Sequence, residues 1–291
     1  MKNKPTIVFF GTPDFSTPVL ETLKKADFTP KLIIETKDEI PLERIKALKP
    51  DLLVIASFGK ILKKELLALP KYGTLNVHPS LLPKYRGPSP IQAAILNGDK
   101  ETGVTIILTD EKMDHGPILA QRELEIRSTK SEIRNTTYKE LEKKLAELGG
   151  EFLVKTVSDW INGKIKPKEQ DHSKATYTKK ITKENGLINW SEPAEIIERK
   201  LRAFNPWPGA YSFWQKNNQK QRLIFFKAKI IKHRVFDNLK IGQVFKIDWD
   251  FAIQTGKDAL KIEVLKPEGK KEMPSGAFLK GNSEILGQVL G

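Results

Sequence analysis

The chain has 291 residues, enough for about two domains of ordinary size, and 39% of them are hydrophobic. No apolar run reaches the roughly 20 residues of a membrane span, the start lacks the apolar segment of a signal peptide, and zero cysteines exclude disulfides and thiolate ligands. Fifty Lys and Arg against 36 Asp and Glu leave a net charge of +14. Such an excess favours a polyanionic partner, although a solvated lysine-rich surface has the same composition. The expected compartment is the cytoplasm.

In chain order, residues 6–10 form an apolar strand ended by Gly11, and a helical pattern follows over 17–25. A strand at 32–34, a charged helix at 42–48, a strand at 52–56, a helix at 63–68 and strands at 74–77 and 103–108 come next. Continuous β-branched runs alternating with helices signal a mostly parallel sheet covered on both faces. A polar loop spans 110–117 and a strand 118–125. A helix from Ser131 carries Ile133, Thr137, Leu141, Leu145 and Leu148 on one face. Its expected end is Gly149-Gly150, with a second helix over 152–161. The lysine-rich stretch 164–183 reads as a linker, and an amphipathic helix at 194–203 is initiated by Ser191 and Pro193. After the Asn205-Pro-Trp-Pro-Gly209 break, short strand-like segments separated by turns (211–214, 223–231, 242–247, 251–255, 259–264) have the pattern of a small β-barrel.

Gly11-Thr-Pro-Asp14 lies between a strand and a helix but lacks the glycines of a dinucleotide fingerprint and the Lys of a P-loop, so it reads as a plain turn. In Asn76-Val-His78, alternation puts both polar side chains on one face at the carboxyl end of a strand. Ligands bind at that end of open α/β sheets. An amide and an imidazole side by side can stabilise an oxyanion. Asp114, in the 110–117 loop, could orient the His78 ring, and on spacing alone it could equally be a turn residue. Four scattered histidines give no ligand spacing, and no metal is expected.

Asn76-Val-His78-Pro-Ser80-Leu-Leu-Pro83, Lys84-Tyr-Arg86-Gly87, Gly103-Val-Thr105 and Met113-Asp114-His-Gly-Pro117 together resemble the formyltransferase family that uses 10-formyltetrahydrofolate. Gly11-Thr-Pro-Asp14-Phe, Ile188-Asn-Trp190-Ser and Arg202-Ala-Phe204-Asn-Pro-Trp207-Pro208 are similar to its methionyl-tRNA branch. The resemblance covers nearly the whole chain. It implies a Rossmann-like catalytic domain over 1–178, a linker and helix over 179–205, and an OB-like β-barrel over 206–291 that binds tRNA.

It also implies the chemistry: the formyl group passes from 10-formyltetrahydrofolate to the amine of initiator methionyl-tRNA, with an amino-sugar nucleotide as the alternative acceptor. Asn76 and His78 would be oxyanion donors, and Asp114 would support the imidazolium and help move the proton. Ser80, Leu81, Leu82 and Pro83 would line the folate site, with Phe58 and Gly59 as a neighbouring wall. Arg86 would serve substrate approach or brace its own loop, Lys179, Lys180, Lys183, Arg199 and Arg202 are the candidates for tRNA phosphates, and Trp207 for a domain-interface anchor. The partners implied are folate and tRNA, with no membrane, and the chain is expected to be a monomer. After Ile33-Ile-Glu-Thr36 the family usually carries about thirty more residues, a basic loop and a further strand, which this chain replaces with Lys37-Asp-Glu-Ile-Pro41. A sheet one edge strand shorter and altered initiator discrimination are therefore expected.

Overall fold

The computed structural model describes residues 4–125, 136–232 and 238–291. The chain forms two compact units, the first built from residues up to Lys180 apart from two short pieces, the second from Ile181–Gly291 with those pieces.

The first unit contains β1 (Ile7–Gly11), α1 (Ser16–Lys25), β2 (Leu32–Glu35), α2 (Leu42–Leu48), β3 (Leu52–Ala56), α3 (Lys64–Leu67), β4 (Thr74–His78), α4 (Pro90–Asn97), β5 (Glu101–Leu108), β6 (Ile118–Glu125) and α5 (Tyr138–Ile161). The sheet order is β2-β1-β3-β4-β5-β6. From β2 to β4 the strands are parallel, as expected for residues such as Ile7 to Phe10 and Leu52 to Val54, which are fully enclosed. β5 and β6 depart from this, both pairing antiparallel. The reason is the connection: α4 has only eight residues, about 12 Å, and β5 starts beside the carboxyl end of β4 without being carried back to its start. The sequence pattern did not disclose α4. Pro90 begins it, a position where the missing N–H costs nothing, and Ile91, Ala94 and Ile95 bury its inner face. β2 forms one edge of this Rossmann-like sheet, and α2 begins seven residues after it with no strand between.

The expected helix break at Gly149-Gly150 does not occur: α5 runs unbroken from Tyr138 to Ile161. The first part of the expected helix, from Ser131, lies outside the described residues. The glycine pair serves close packing. A Cβ on Gly149 would stand 2.9 Å from Cγ1 of Val77 in β4, and one on Gly150 would stand 2.9 Å from Thr22 and 3.2 Å from the Val19 backbone of α1. Helix–sheet and helix–helix approach here is too tight for any side chain, which outweighs the poor helix propensity of glycine.

The second unit contains α6 (Ala194–Ala203), β7 (Ala210–Lys216), β8 (Gln219–Ile231), β9 (Val244–Ile247), β10 (Asp250–Gln254), β11 (Ala259–Pro267), β12 (Met273–Pro274) and α7 (Ser275–Lys280). Its sheet, ordered β7-β8-β11-β10-β9 with β12 on β11, is antiparallel throughout. It forms a curled half-barrel around Trp214, Phe225, Phe251, Leu260 and Phe278. α6 lies over β8 and β11 and adds Ile197 and Leu201 to this core, joined by Trp190, whose Nε1 donates to Ser212 Oγ at 3.0 Å. Pro193 stands at the start of α6. The Ser191 hydroxyl does not cap it and donates to Asn189 Oδ1 at 2.6 Å. Trp207 is half exposed, between two cis X-Pro bonds, Asn205-Pro206 and Trp207-Pro208. Among the described residues no helix is long and apolar enough to cross a membrane.

Candidate active site

β4 ends with Asn76 and His78 on one face and Val77 on the other, where it meets α5. The loop after β5 brings Asp114 to that first face. Asn76 Nδ2 donates to Asp114 Oδ1 at 3.1 Å, and His78 Nδ1 lies 3.5 Å from the same oxygen. The other carboxylate oxygen accepts the Gly87 backbone N–H at 2.7 Å. His78 is buried, and its Nε2 faces the Tyr85 carbonyl at 3.0 Å. A carbonyl only accepts, so Nε2 carries a proton. A second proton, on Nδ1, would point at Asp114 and into the space beside Asn76. Similarly, the carboxylate only accepts, which places the nitrogen of the Asn76 amide toward it and leaves that nitrogen a second N–H.

Asp114 has φ +49°, a left-handed conformation that Asp tolerates better than most residues. Two residues on, Gly116 is confined: a Cβ there would lie 1.8 Å from the Leu108 carbonyl oxygen. The loop is held from outside by Gln170, whose Nε2 donates to the carbonyls of Asp114 at 2.9 Å and Gly116 at 2.7 Å.

The stretch read as a linker is thus in part a wall of the site. Lys168 pairs with Ile118, and Thr176 and Thr178 exchange backbone hydrogen bonds with Pro83 and Arg86. Composition announced a solvated segment because its lysines do face water. The backbone pairing and the single inward Gln170 carry no compositional signal.

Of the expected folate residues, Ser80 is fully buried and its hydroxyl donates to Lys84 O at 2.6 Å, so this side chain secures its own loop. Leu82, before a cis Pro83, is tied by its N–H to Thr105 Oγ1 at 3.1 Å and by its carbonyl to Gln121 Nε2 at 2.8 Å. Thr105 Oγ1 in turn donates to Ser80 O at 2.6 Å. Leu81 and Pro83 remain partly exposed. Phe58 is buried, edge-on to Phe10 with 5.1 Å between ring centroids, while Gly59 beside it is exposed.

Of the two roles open to Arg86, substrate approach and bracing of its loop, its contacts belong to the second. Arg86 is 1% exposed. Its guanidinium donates to Gln170 Oε1 through Nε at 3.1 Å and Nη2 at 2.7 Å, to His172 Nδ1 at 2.8 Å and to the Tyr177 hydroxyl at 3.2 Å. Arg199 and Arg202 are paired within α6, Arg199 with Glu195 and Arg202 bidentately with Glu198 at 2.7 and 3.0 Å. Lys179, Lys180 and Lys183 are exposed. Gly87, Thr105, Gln121 and Gln170 are the residues sequence reading missed. All act through long-range partners, and only the Arg86-Gly87 and Gly103-Val-Thr105 motifs offered a signal.

A model of the formyl transferase family matches residues 4–157, and one of the formyl transferase C-terminal domain matches residues 180–283. The methionyl-tRNA formyltransferase of Roseiflexus sp. strain RS-1 is 39% identical over 282 residues, 97% of this chain and 83% of that protein. The Bacillus licheniformis one is 38% identical over 320 residues, covering 98% of each. The chain belongs to the methionyl-tRNA formyltransferase family. This formyltransferase is shorter than the Bacillus relative's alignment of 320 positions, having only 291 residues, so the relative carries a surplus with no counterpart here. Among solved structures, HypX from Aquifex aeolicus in complex with tetrahydrofolic acid shares the fold with a TM-score of 0.70 at 21% identity, over 99% of this chain and 48% of that one.

Proposed function

We propose that this formyltransferase moves the formyl group of 10-formyltetrahydrofolate to the α-amine of initiator methionyl-tRNA. The observation that carries the reading is the grouping of Asn76, His78 and Asp114 at the carboxyl end of β4, with Asn76 hydrogen-bonded to Asp114 and His78 3.5 Å from the same oxygen, in a chain whose relatives at 38–39% identity are methionyl-tRNA formyltransferases.

The amine lone pair adds to the formyl carbon, and the carbonyl oxygen becomes an oxyanion. The free N–H of Asn76 and a protonated His78 Nδ1 would be the donors to that oxygen. Asp114 balances the charge of the imidazolium. As the tetrahedral centre collapses, the bond to folate N10 breaks, and the proton lost by the amine ends on that nitrogen, relayed by the Asp114 carboxylate. An aminoacyl-ester amine is a weak base, so orientation and charge stabilisation outweigh the need for a strong general base. Leu81 and Pro83 would cover a pterin face, with recognition left to backbone groups of the loop after β4. Exposed Lys179, Lys180 and Lys183 suit acceptor-stem phosphates.

The test is a formylation assay with 10-formyltetrahydrofolate and initiator Met-tRNA, run beside a 4-amino-sugar nucleotide. Formylmethionyl-tRNA should form, and Asn76→Ala should lower kcat on the order of 100-fold or more. Transfer to the sugar nucleotide alone would overturn the acceptor. Near-normal turnover by Asn76→Ala would overturn the role of the amide. An initiator–elongator comparison at one salt concentration measures discrimination in this shortened chain.

A further inference from the structure

The side chain of Gln170 is 95% buried and joins two loops that meet at the reaction centre. Its amide orientation is fixed by its neighbours. Arg86 can only donate, so Oε1 must face it, and the Asp114 and Gly116 carbonyls can only accept, so Nε2 must face them. Arg86 is followed by Gly87, whose N–H grips Asp114 Oδ2 at 2.7 Å. A closed circuit results: Asp114 carboxylate, Gly87 N–H, Arg86 guanidinium, Gln170 amide, Asp114 carbonyl.

We infer that Gln170 is a positioning residue for Asp114, clamping the left-handed Asp114 loop so that its carboxylate meets Asn76 and His78. The inference rests on the catalytic reading proposed above. The backbone around Asp114 is otherwise unfavourable for an L-residue, and both carbonyls that flank His115 are satisfied by one nitrogen. Without that nitrogen, two buried carbonyls lose their donor and the loop can relax. A shift of about 1 Å at a catalytic group costs on the order of 100-fold in rate.

Gln170→Glu is the diagnostic change. It preserves shape and gives the buried Arg86 a counter-charge, so the fold is maintained. However, it sets an oxygen against the two carbonyls that Nε2 had served. The expected result is a fall in kcat of about 10- to 100-fold, with KM for Met-tRNA within about twofold. Gln170→Met, which removes both functions, should do the same or worse. In an Asp114→Asn background, Gln170→Glu should cost less than about threefold, because groups acting as a unit are not additive.

Amide exchange gives a readout independent of any substrate. The Gly87 N–H should lose protection in Gln170→Glu while amides of β1 and β3 keep theirs. Unchanged Gly87 exchange, a wild-type kcat in folded Gln170→Glu, or an undiminished loss in the Asp114→Asn background would each overturn the inference. A wild-type protein inactive on Met-tRNA would refute the catalytic reading instead, and the Gly87 measurement would still decide whether Gln170 holds the loop.

Discussion

Replacing Thr105 with valine isolates the contribution of a single buried hydroxyl to the loop after β4. Thr105 is fully buried opposite His78. Its Oγ1 donates to Ser80 O at 2.6 Å and accepts from Leu82 N–H at 3.1 Å and Gln121 Nε2 at 2.9 Å. Valine has nearly the same shape but no hydroxyl, so space is conserved while three hydrogen bonds vanish. Gln121 keeps Leu82 O as an acceptor at 2.8 Å. The uncompensated groups are therefore the Ser80 carbonyl and the Leu82 N–H, at about 1–3 kcal/mol each, or about 2–6 kcal/mol together. Thr105→Ser is the control: it keeps the hydroxyl and loses one methyl, worth about 1 kcal/mol. Because the chain has two units, global unfolding would not be two-state, and native-state amide exchange at β4 and β5 is the better assay. Thr105→Val should lower their opening free energy well beyond Thr105→Ser and should raise KM for the folate cosubstrate more than for Met-tRNA. Equal effects of the two variants, within about 0.5 kcal/mol, would refute the claim that the hydroxyl holds the loop.

Gly149→Val should destabilise the first unit by about 1–3 kcal/mol through overpacking against Val77, measured by the same exchange experiment, and Gly149→Ala by less, since improved helix propensity returns about 1 kcal/mol. Asp171 is held at a pKa of about 2, chiefly by its hydrogen bond to Lys174 and then by Ser173. With the folded pKa depressed, its stabilising contribution is present above the ordinary value of 3.8 and is lost as pH falls through about 2. NMR titration should find that midpoint, and Lys174→Met should move it upward. Replacing Lys179, Lys180 and Lys183 together should reduce the slope of log affinity for Met-tRNA against log salt by up to about three. An unchanged slope would place the phosphate contacts elsewhere.

What the sequence determined by itself is whatever local periodicity encodes. Ile7 to Phe10 and Leu52 to Ala56 had to be enclosed strands, because only a sheet covered on both faces accommodates such runs. Alternation set Asn76 and His78 on a common face before any contact was known. The turn-separated segments after Gly209 likewise announced a small β-barrel, and the structure holds a curled antiparallel half-barrel there. Tertiary structure decided the rest, because it concerns partners far apart in the chain. Asp114 becomes part of the cluster only when the loop after β5 folds onto β4, 38 residues from Asn76. Arg86, which a sequence offers as a surface cation, is enclosed by Gln170, His172 and Tyr177, some 84 to 91 residues away. Gly149 and Gly150 read as a helix end because their local propensity is poor, and they remain helical because β4 and α1 come too close for a side chain. Propensity is a weak local preference, and packing at contact distance overrides it.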